Sequence, residues 1–212
     1  MRRALGVVVL LGVAGGLVFV ATRHGGSRPE IASSATATTT APTTAPTTTT
    51  VPATTTTTAD PGALPQTPER PADVGFVLGG HVQALWDAIV ADDPSRAMPF
   101  FFPLSAYVQV KNISDPQHDW MTRLVANFDQ DVHAWHARLG PAAASAQLLG
   151  LSIPETQAQW ITPGVEYNKG SYWRVYGSML NYAAGGRPGS FTIASMISWR
   201  GEWYVVHLAS IR

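Results

Sequence analysis

Three consecutive apolar runs near the carboxyl end, Tyr172–Tyr182, Ser190–Trp199 and Trp203–Ile211, restrict what this chain can fold into more than any other feature. Each is rich in Val, Ile, Tyr, Trp or Phe, side chains that pack well on a pleated surface, and turn residues bound them. Gly185-Gly186 and Arg200-Gly201 fall at the two junctions. Gly201 can take the positive φ that a tight type I′ turn needs, with Trp199 and Trp203 flanking the turn. The three runs therefore predict an antiparallel meander.

The amino-terminal third has a different composition. Arg2 and Arg3 precede an uncharged run from Ala4 to Thr22, which as a helix would span about 28 Å and match a bilayer core. Signal cleavage needs small residues at −3 and −1, and Phe19-Val20-Ala21 puts a ring at −3, so an uncleaved single-pass anchor over residues 1–22 is expected, with a secreted product if cleavage does occur. Residues 23–72 read as a disordered linker. Fifteen Thr lie between Thr36 and Thr58, with Pro42, Pro46 and Pro52 among them, and such a tract has nothing to bury in exchange for its ordering entropy. Thr/Pro tracts beside a membrane span resemble the stalks of surface proteins, glycosylated or bare, which places the rest of the chain on the extracytoplasmic side of the cytoplasmic membrane.

All seven Trp and six of the seven Phe follow Pro71, so residues 73–212 are expected to form one domain around a single core. From Pro71 onward there are 9 basic and 11 acidic residues, a net charge of −2. A surface so nearly neutral offers no footprint for phosphate backbones, and nucleic acid is not expected as a partner. The absence of Cys removes disulfides and thiolate metal sites.

Ahead of the strands the pattern is helical. Val82, Leu85, Trp86, Ile89 and Val90 recur at three- and four-residue spacing and predict a helix ending near Ala91. Asp93-Pro94 has the chemistry of a helix start and predicts a short second helix; Tyr107–Val110 reads as a short strand. Ser114-Asp115-Pro116 starts, and Gly140-Pro141 stops, a long helix with a stripe of Leu124, Phe128, Val132, Trp135 and Leu139. Ala146–Ile153 and Gln157–Thr162 are further strand candidates. The class is α+β, with helices packed on a curled antiparallel sheet.

The Ala84-Leu85-Trp86-Asp87-Ala88 segment with its following Ala91-Asp92-Asp93-Pro94, the long helix Pro116–Leu139 and the closing Trp199–Val206 hairpin together resemble the NTF2-like (cystatin-like α+β) superfamily over about residues 75–211. The anchor, stalk and domain together are similar to actinobacterial surface proteins. The resemblance implies a cone with a pocket between the long helix and the concave face of the sheet. Relatives include isomerases, dehydratases, polyketide cyclases and non-catalytic accessory modules, and fold alone does not choose among them.

A two-residue turn at Arg200-Gly201 pairs Trp199 with Glu202. That register sets His207 beside Ala194 on a face shared with Met196, Trp203 and Val205. With Trp135 of the long helix, these form the expected ligand pocket. An imidazole there suits a general base or a hydrogen-bond donor, and Asp87 of the first helix is the candidate acidic partner. It also suits a structural role, hydrogen-bonded to a neighbour. Asp129, His133 and His136 lie on one flank of the long helix and could hold a divalent metal. One helix supplies too few ligands, however, and the surrounding spacing matches no common metalloenzyme, so no metal or other cofactor is expected.

Tyr172, Arg174, Tyr176 and Tyr182 fall on one side of the first long strand, and Trp173, Val175 and Met179 on the other. Both sides need cover, from the chain itself, a second copy or a partner protein, unless the Tyr and Arg side chains simply face water. Two functions stay open. The first is a membrane-tethered, extracytoplasmic, non-catalytic binding or accessory module. The second is a small enzyme of the isomerase, dehydratase or cyclase type with His207 as general base.

Overall fold

The structure, a computed structural model, describes residues 60–212, so the expected anchor and the linker up to residue 59 lie outside the described residues. Among the described residues no helix is long and apolar enough to cross a membrane. The described residues form four helices, α1 (Phe76–Ala91), α2 (Leu104–Val110), α3 (Pro116–Asp119) and α4 (Val125–Leu139), with short 3-10 turns and one π turn among them. Five strands follow, β1 (Gln147–Ser152), β2 (Gln159–Ile161), β3 (Tyr172–Ala184), β4 (Arg187–Trp199) and β5 (Glu202–His207). The architecture is α+β, with helices packed on a curled antiparallel sheet of order β1-β3-β4-β5, in which β2 also pairs with β3.

The meander forms as its composition predicts. Ala184 pairs with Arg187 across Gly185-Gly186, and Trp199 with Glu202 across Arg200-Gly201. All four turn residues have positive φ, the geometry whose twist matches that of the flanking strands. Gly201, at φ +78°, is doubly constrained, because a Cβ there would come within 2.9 Å of the Glu69 carboxylate.

The long helix is continuous in its handedness but not in its pitch. The Asp115 carboxylate accepts from the His118 N–H at 2.9 Å and caps α3. A π turn, Trp120–Leu124, then carries the chain into α4, and Gly140, at φ +53°, ends it. The five residues of its stripe are all buried. Trp135 stacks on Phe191 of β4 with ring centroids 4.5 Å apart, Phe191 on Tyr182 of β3 at 4.8 Å, and Tyr182 on Trp86 of α1 at 5.6 Å. This aromatic series ties α1 and α4 to the sheet, where offset rings add attraction beyond area burial.

Several expectations need correction. Tyr107–Val110 belongs to a helix, because Pro103 starts a turn in which Ala106, Tyr107 and Val110 are buried at three- and four-residue spacing. The short helix expected after Asp93 does form, as a single 3-10 turn, Pro94–Ala97, with the Asp93 side chain accepting the Ser95 N–H at its start. Phe100–Phe102 then runs beside β5: Phe102 N–H donates to the Val205 carbonyl at 2.9 Å and Val205 N–H to that of Phe100 at 2.8 Å.

The linker also ends earlier than residue 72. Residues 60–70 lie against the sheet, held by the Trp199 indole N–H on the Pro61 carbonyl (3.0 Å), the Arg200 N–H on Gln66 Oε1 (2.6 Å) and Gln66 Nε2 on the Ser198 carbonyl (2.9 Å). On Trp173, Pro68 accepts the indole N–H at 3.1 Å and the Arg70 guanidinium lies 5.5 Å from the ring centroid. The chain's own amino-terminal strap therefore covers part of the sheet that its alternation left unassigned.

Candidate functional site

The site begins with a register change. Pairing between β4 and β5 is regular from Trp199–Glu202 to Met196–Val205, but His207 then pairs with Ser195 and not Ala194. Val206 is the extra residue of a β-bulge, a device that re-aims the side chains after it. Its consequence is to carry His207 away from the wall of Met196 and Val205. His207 Nδ1 lies 2.8 Å from Ser195 Oγ, and both line a cavity of about 210 Å³ together with Ile197 and Val206.

The expected pocket residues do not line this space. Trp203, Val205 and Met196 are buried in the core, Trp135 is packed on Phe191, and Ala194 is half-buried outside the cavity wall. Asp87 is exposed, accepts a hydrogen bond from Gln83 Nε2 at 2.8 Å and is no part of the cavity. The register that placed the other residues around His207 assumed an unbroken alternation, and the bulge at Val206 interrupts it. Of the sequence-derived site residues, His207 alone reaches the cavity.

The opposite wall comes from α2 and from the loop before β3. Tyr107, Val110 and Lys111 project from α2 and its C-cap, while Tyr172, Arg174 and Tyr176 follow one another along one side of β3. Tyr176 and Ile211, the most exposed of the lining residues, mark the mouth. The loop is organised by Asn168, which is buried: its Nδ2 donates to the carbonyls of Thr162 (3.0 Å) and Gly170 (2.8 Å), and its Oδ1 accepts from Glu166 N–H (2.8 Å). Backbone bonds from Asn112 to Tyr167 (2.8 Å) and from Lys169 to Val110 (2.7 Å) pin that loop to the end of α2.

Charges around the cavity are nearly all paired. Glu166 forms an ion pair with Arg174 and accepts the Tyr172 hydroxyl at 2.8 Å. Asp119 is gripped by Arg123 through Nε and Nη2, each at 2.7 Å, and accepts the Tyr107 hydroxyl at 2.5 Å. Those Arg123 hydrogen bonds hold the Asp119 carboxyl below the usual range. Burial pushes the Tyr172 phenol up to about 12. Asp131 accepts the Ala209 N–H at 3.0 Å and pairs with Arg212 at 2.7 Å.

Lys111 is different. Its Nζ donates to the Glu166 carbonyl at 3.2 Å, and among the described residues it has no carboxylate in ion-pair range. Burial, and then the charge of Arg123, hold its pKa below the ordinary lysine value.

His207 feels the same surroundings. Burial pushes its pKa down to about 4, and the positive charges of Arg123, Lys111 and Arg212 add to this against the weaker pull of Asp131. At neutral pH the imidazole is uncharged. It can exchange a hydrogen bond with Ser195, but a base of this pKa accepts a proton weakly at pH 7.

The three metal-ligand candidates do not come together. His133 Nδ1 meets Asp92 at 2.7 Å and His136 Nδ1 the Ile89 carbonyl at 2.9 Å, so both rings join α4 to α1. Asp129 stays half-buried on its own, its carboxyl pKa raised by burial. Among the described residues no three acidic or imidazole side chains converge as a metal site would require.

Lys111, Glu166 and Ser195 could not be singled out from their types alone. The loop did carry a signal, since Gly164, Asn168 and Gly170 within seven residues mark a tight turn whose Asn side chain bonds its own backbone. Comparison with family models, curated proteins and solved structures finds no match to this chain.

Proposed function

We propose that this protein is a single-pass membrane protein holding an NTF2-like module on the extracytoplasmic side, and that the module binds a small ligand in the His207 cavity without transforming it. The tether rests on the uncharged run Ala4–Thr22 and the Thr/Pro tract behind it. The NTF2-like assignment rests on the pattern of a long helix and a curled antiparallel sheet. A space of about 210 Å³ is smaller than the roughly 300–1,000 Å³ of sites for drug-sized molecules, so its occupant is small.

One observation carries the choice of binding over catalysis: the histidine in the cavity has no machinery behind it. Its Nδ1 is engaged with Ser195, its pKa lies near 4, and the cavity's own carboxylate, Glu166, is engaged with Arg174 and Tyr172. A nucleophile–base pair of the hydrolytic kind needs a base poised near pH 7 and a third group to orient it. The 2.8 Å contact between Ser195 and His207 is the feature that favours the second reading, a small enzyme.

The test combines topology with turnover. The full-length protein is expected to fractionate with membranes and to lose its domain when protease is added outside intact spheroplasts. Purified in detergent, it is expected to leave panels of esters and enolisable ketones unchanged. Recovery in the cytosol would end the tether, and turnover that disappears in both His207→Ala and Ser195→Ala would replace the binding module with an enzyme.

A further inference from the structure

Among the described residues, Lys111 is the ionised side chain of the cavity wall without an opposite charge in ion-pair range, the nearest carboxylate influence being that of Asp119, already held by Arg123. Arg174 faces Glu166, and of the cations just outside the wall Arg123 faces Asp119 and Arg212 faces Asp131. A half-buried ammonium that has lost water and gained only one carbonyl is under-compensated, and the natural remedy is an anion brought in by a ligand. The second polar group is His207. In the tautomer whose Nδ1 accepts from the Ser195 hydroxyl, Nε2 carries the proton, and Nε2 has no partner among the described residues. Val110, Ile197 and Val206 with the Tyr107 ring supply the apolar part of the wall, while Glu166, Arg174 and the Tyr172 hydroxyl, which also line it, are bonded to one another.

We propose that the cavity is the seat of a small organic anion, a monocarboxylate with a compact apolar body. Its carboxylate would meet Lys111 Nζ and His207 Nε2–H, and its body would meet Val110, Ile197 and Val206. This rests on the reading of the cavity as a ligand site. The charges acting on His207 fit the assignment, since Arg123, Lys111 and Arg212 all bear on its imidazole and Asp131 alone opposes them. Size fits too, because about 210 Å³ holds a single ring with a carboxylate and little more.

Benzoate and its neutral isostere benzamide separate charge from shape. With the full-length protein in a non-ionic detergent, titration of each is followed by the amide resonances of Lys111, Ser195 and His207. Benzoate is expected to shift these three and to bind about tenfold or more tighter than benzamide, the difference that one charge-assisted hydrogen bond makes. Lys111→Met should remove that preference, and Lys111→Arg should keep most of it, which guards against a variant that merely unfolds. Equal binding of the two probes, or an unchanged preference in Lys111→Met, overturns the anion assignment and leaves the ligand site standing. If neither probe shifts the cavity resonances at millimolar concentration, the ligand site falls with it.

Discussion

At the scale of single residues the molecule turns on how His207 is held. Its pKa is depressed to about 4 in the folded protein against 6.5 for the free side chain, burial being the largest cause. The unfolded chain therefore binds a proton here at a pH where the native state does not. The stability that results is complete above pH 6.5 and is lost as the pH falls toward 4. His81 on α1, stacked on Phe100 and tilted against Tyr204, is depressed in the same direction by burial and adds to the effect. In urea titrations across this window, His207→Gln is expected to flatten the decline. At ~1.4 kcal/mol per unit of pKa the difference is at most ~3.5 kcal/mol, and water at the mouth of the cavity reduces it. An unchanged decline would mean that the imidazole is solvated in the native state. That His207 mattered could be read from a histidine in an otherwise apolar strand. Its partner could not, because Ser195 and Ala194 are adjacent small residues and a bulge of one residue chooses between them.

At the scale of elements the candidate site depends on one loop holding α2 against β3. Asn168 makes three hydrogen bonds inside it while being only 1 % exposed, and Glu166, Lys111 and Tyr172 take their positions from it. Asn168→Ala would leave the Gly170 carbonyl and the Glu166 N–H without a partner, and the Thr162 carbonyl with only the Val165 N–H at 3.4 Å. It is expected to lower stability by about 2–4 kcal/mol, since each buried group left unpaired costs on the order of 1–3 kcal/mol. The loss should appear as a lower denaturation midpoint and as faster hydrogen exchange at Lys111 and Glu166 than at Phe191. Uniform acceleration would assign Asn168 to the core and not to the loop. Helices and strands whose own residues repeat with a clear period were legible beforehand, as the stripe of α4 and the three strands of the meander attest. The short helix α2 was not: Tyr107-Val108-Gln109-Val110 has strand-forming residue types, and only the packing of Ala106, Tyr107 and Val110 on the core decides for a helix.

At the scale of the whole molecule the described domain starts at its strap. Residues 60–70 reach Trp173, Ser198, Trp199 and Arg200 through their backbone and through Gln66. Removing residues 1–72 is expected to lower the melting midpoint by roughly 5–15 °C relative to removing residues 1–59. That corresponds to about 2–4 kcal/mol for several hydrogen bonds and the apolar surface beneath them. Equal midpoints would make the strap an ornament on an independently stable body.

From its own periodicities and turn residues the sequence determined the α+β class, both hairpin turns and the buried stripe of the long helix. These are local properties, set by side-chain spacing and by which residues tolerate positive φ. The tertiary structure alone decided the register after Val205, the company His207 keeps and the lack, among the described residues, of a carboxylate in ion-pair range of Lys111. Each depends on residues far apart in the chain meeting across a curled sheet, and a one-residue slip there changes which face a side chain occupies without leaving a local trace.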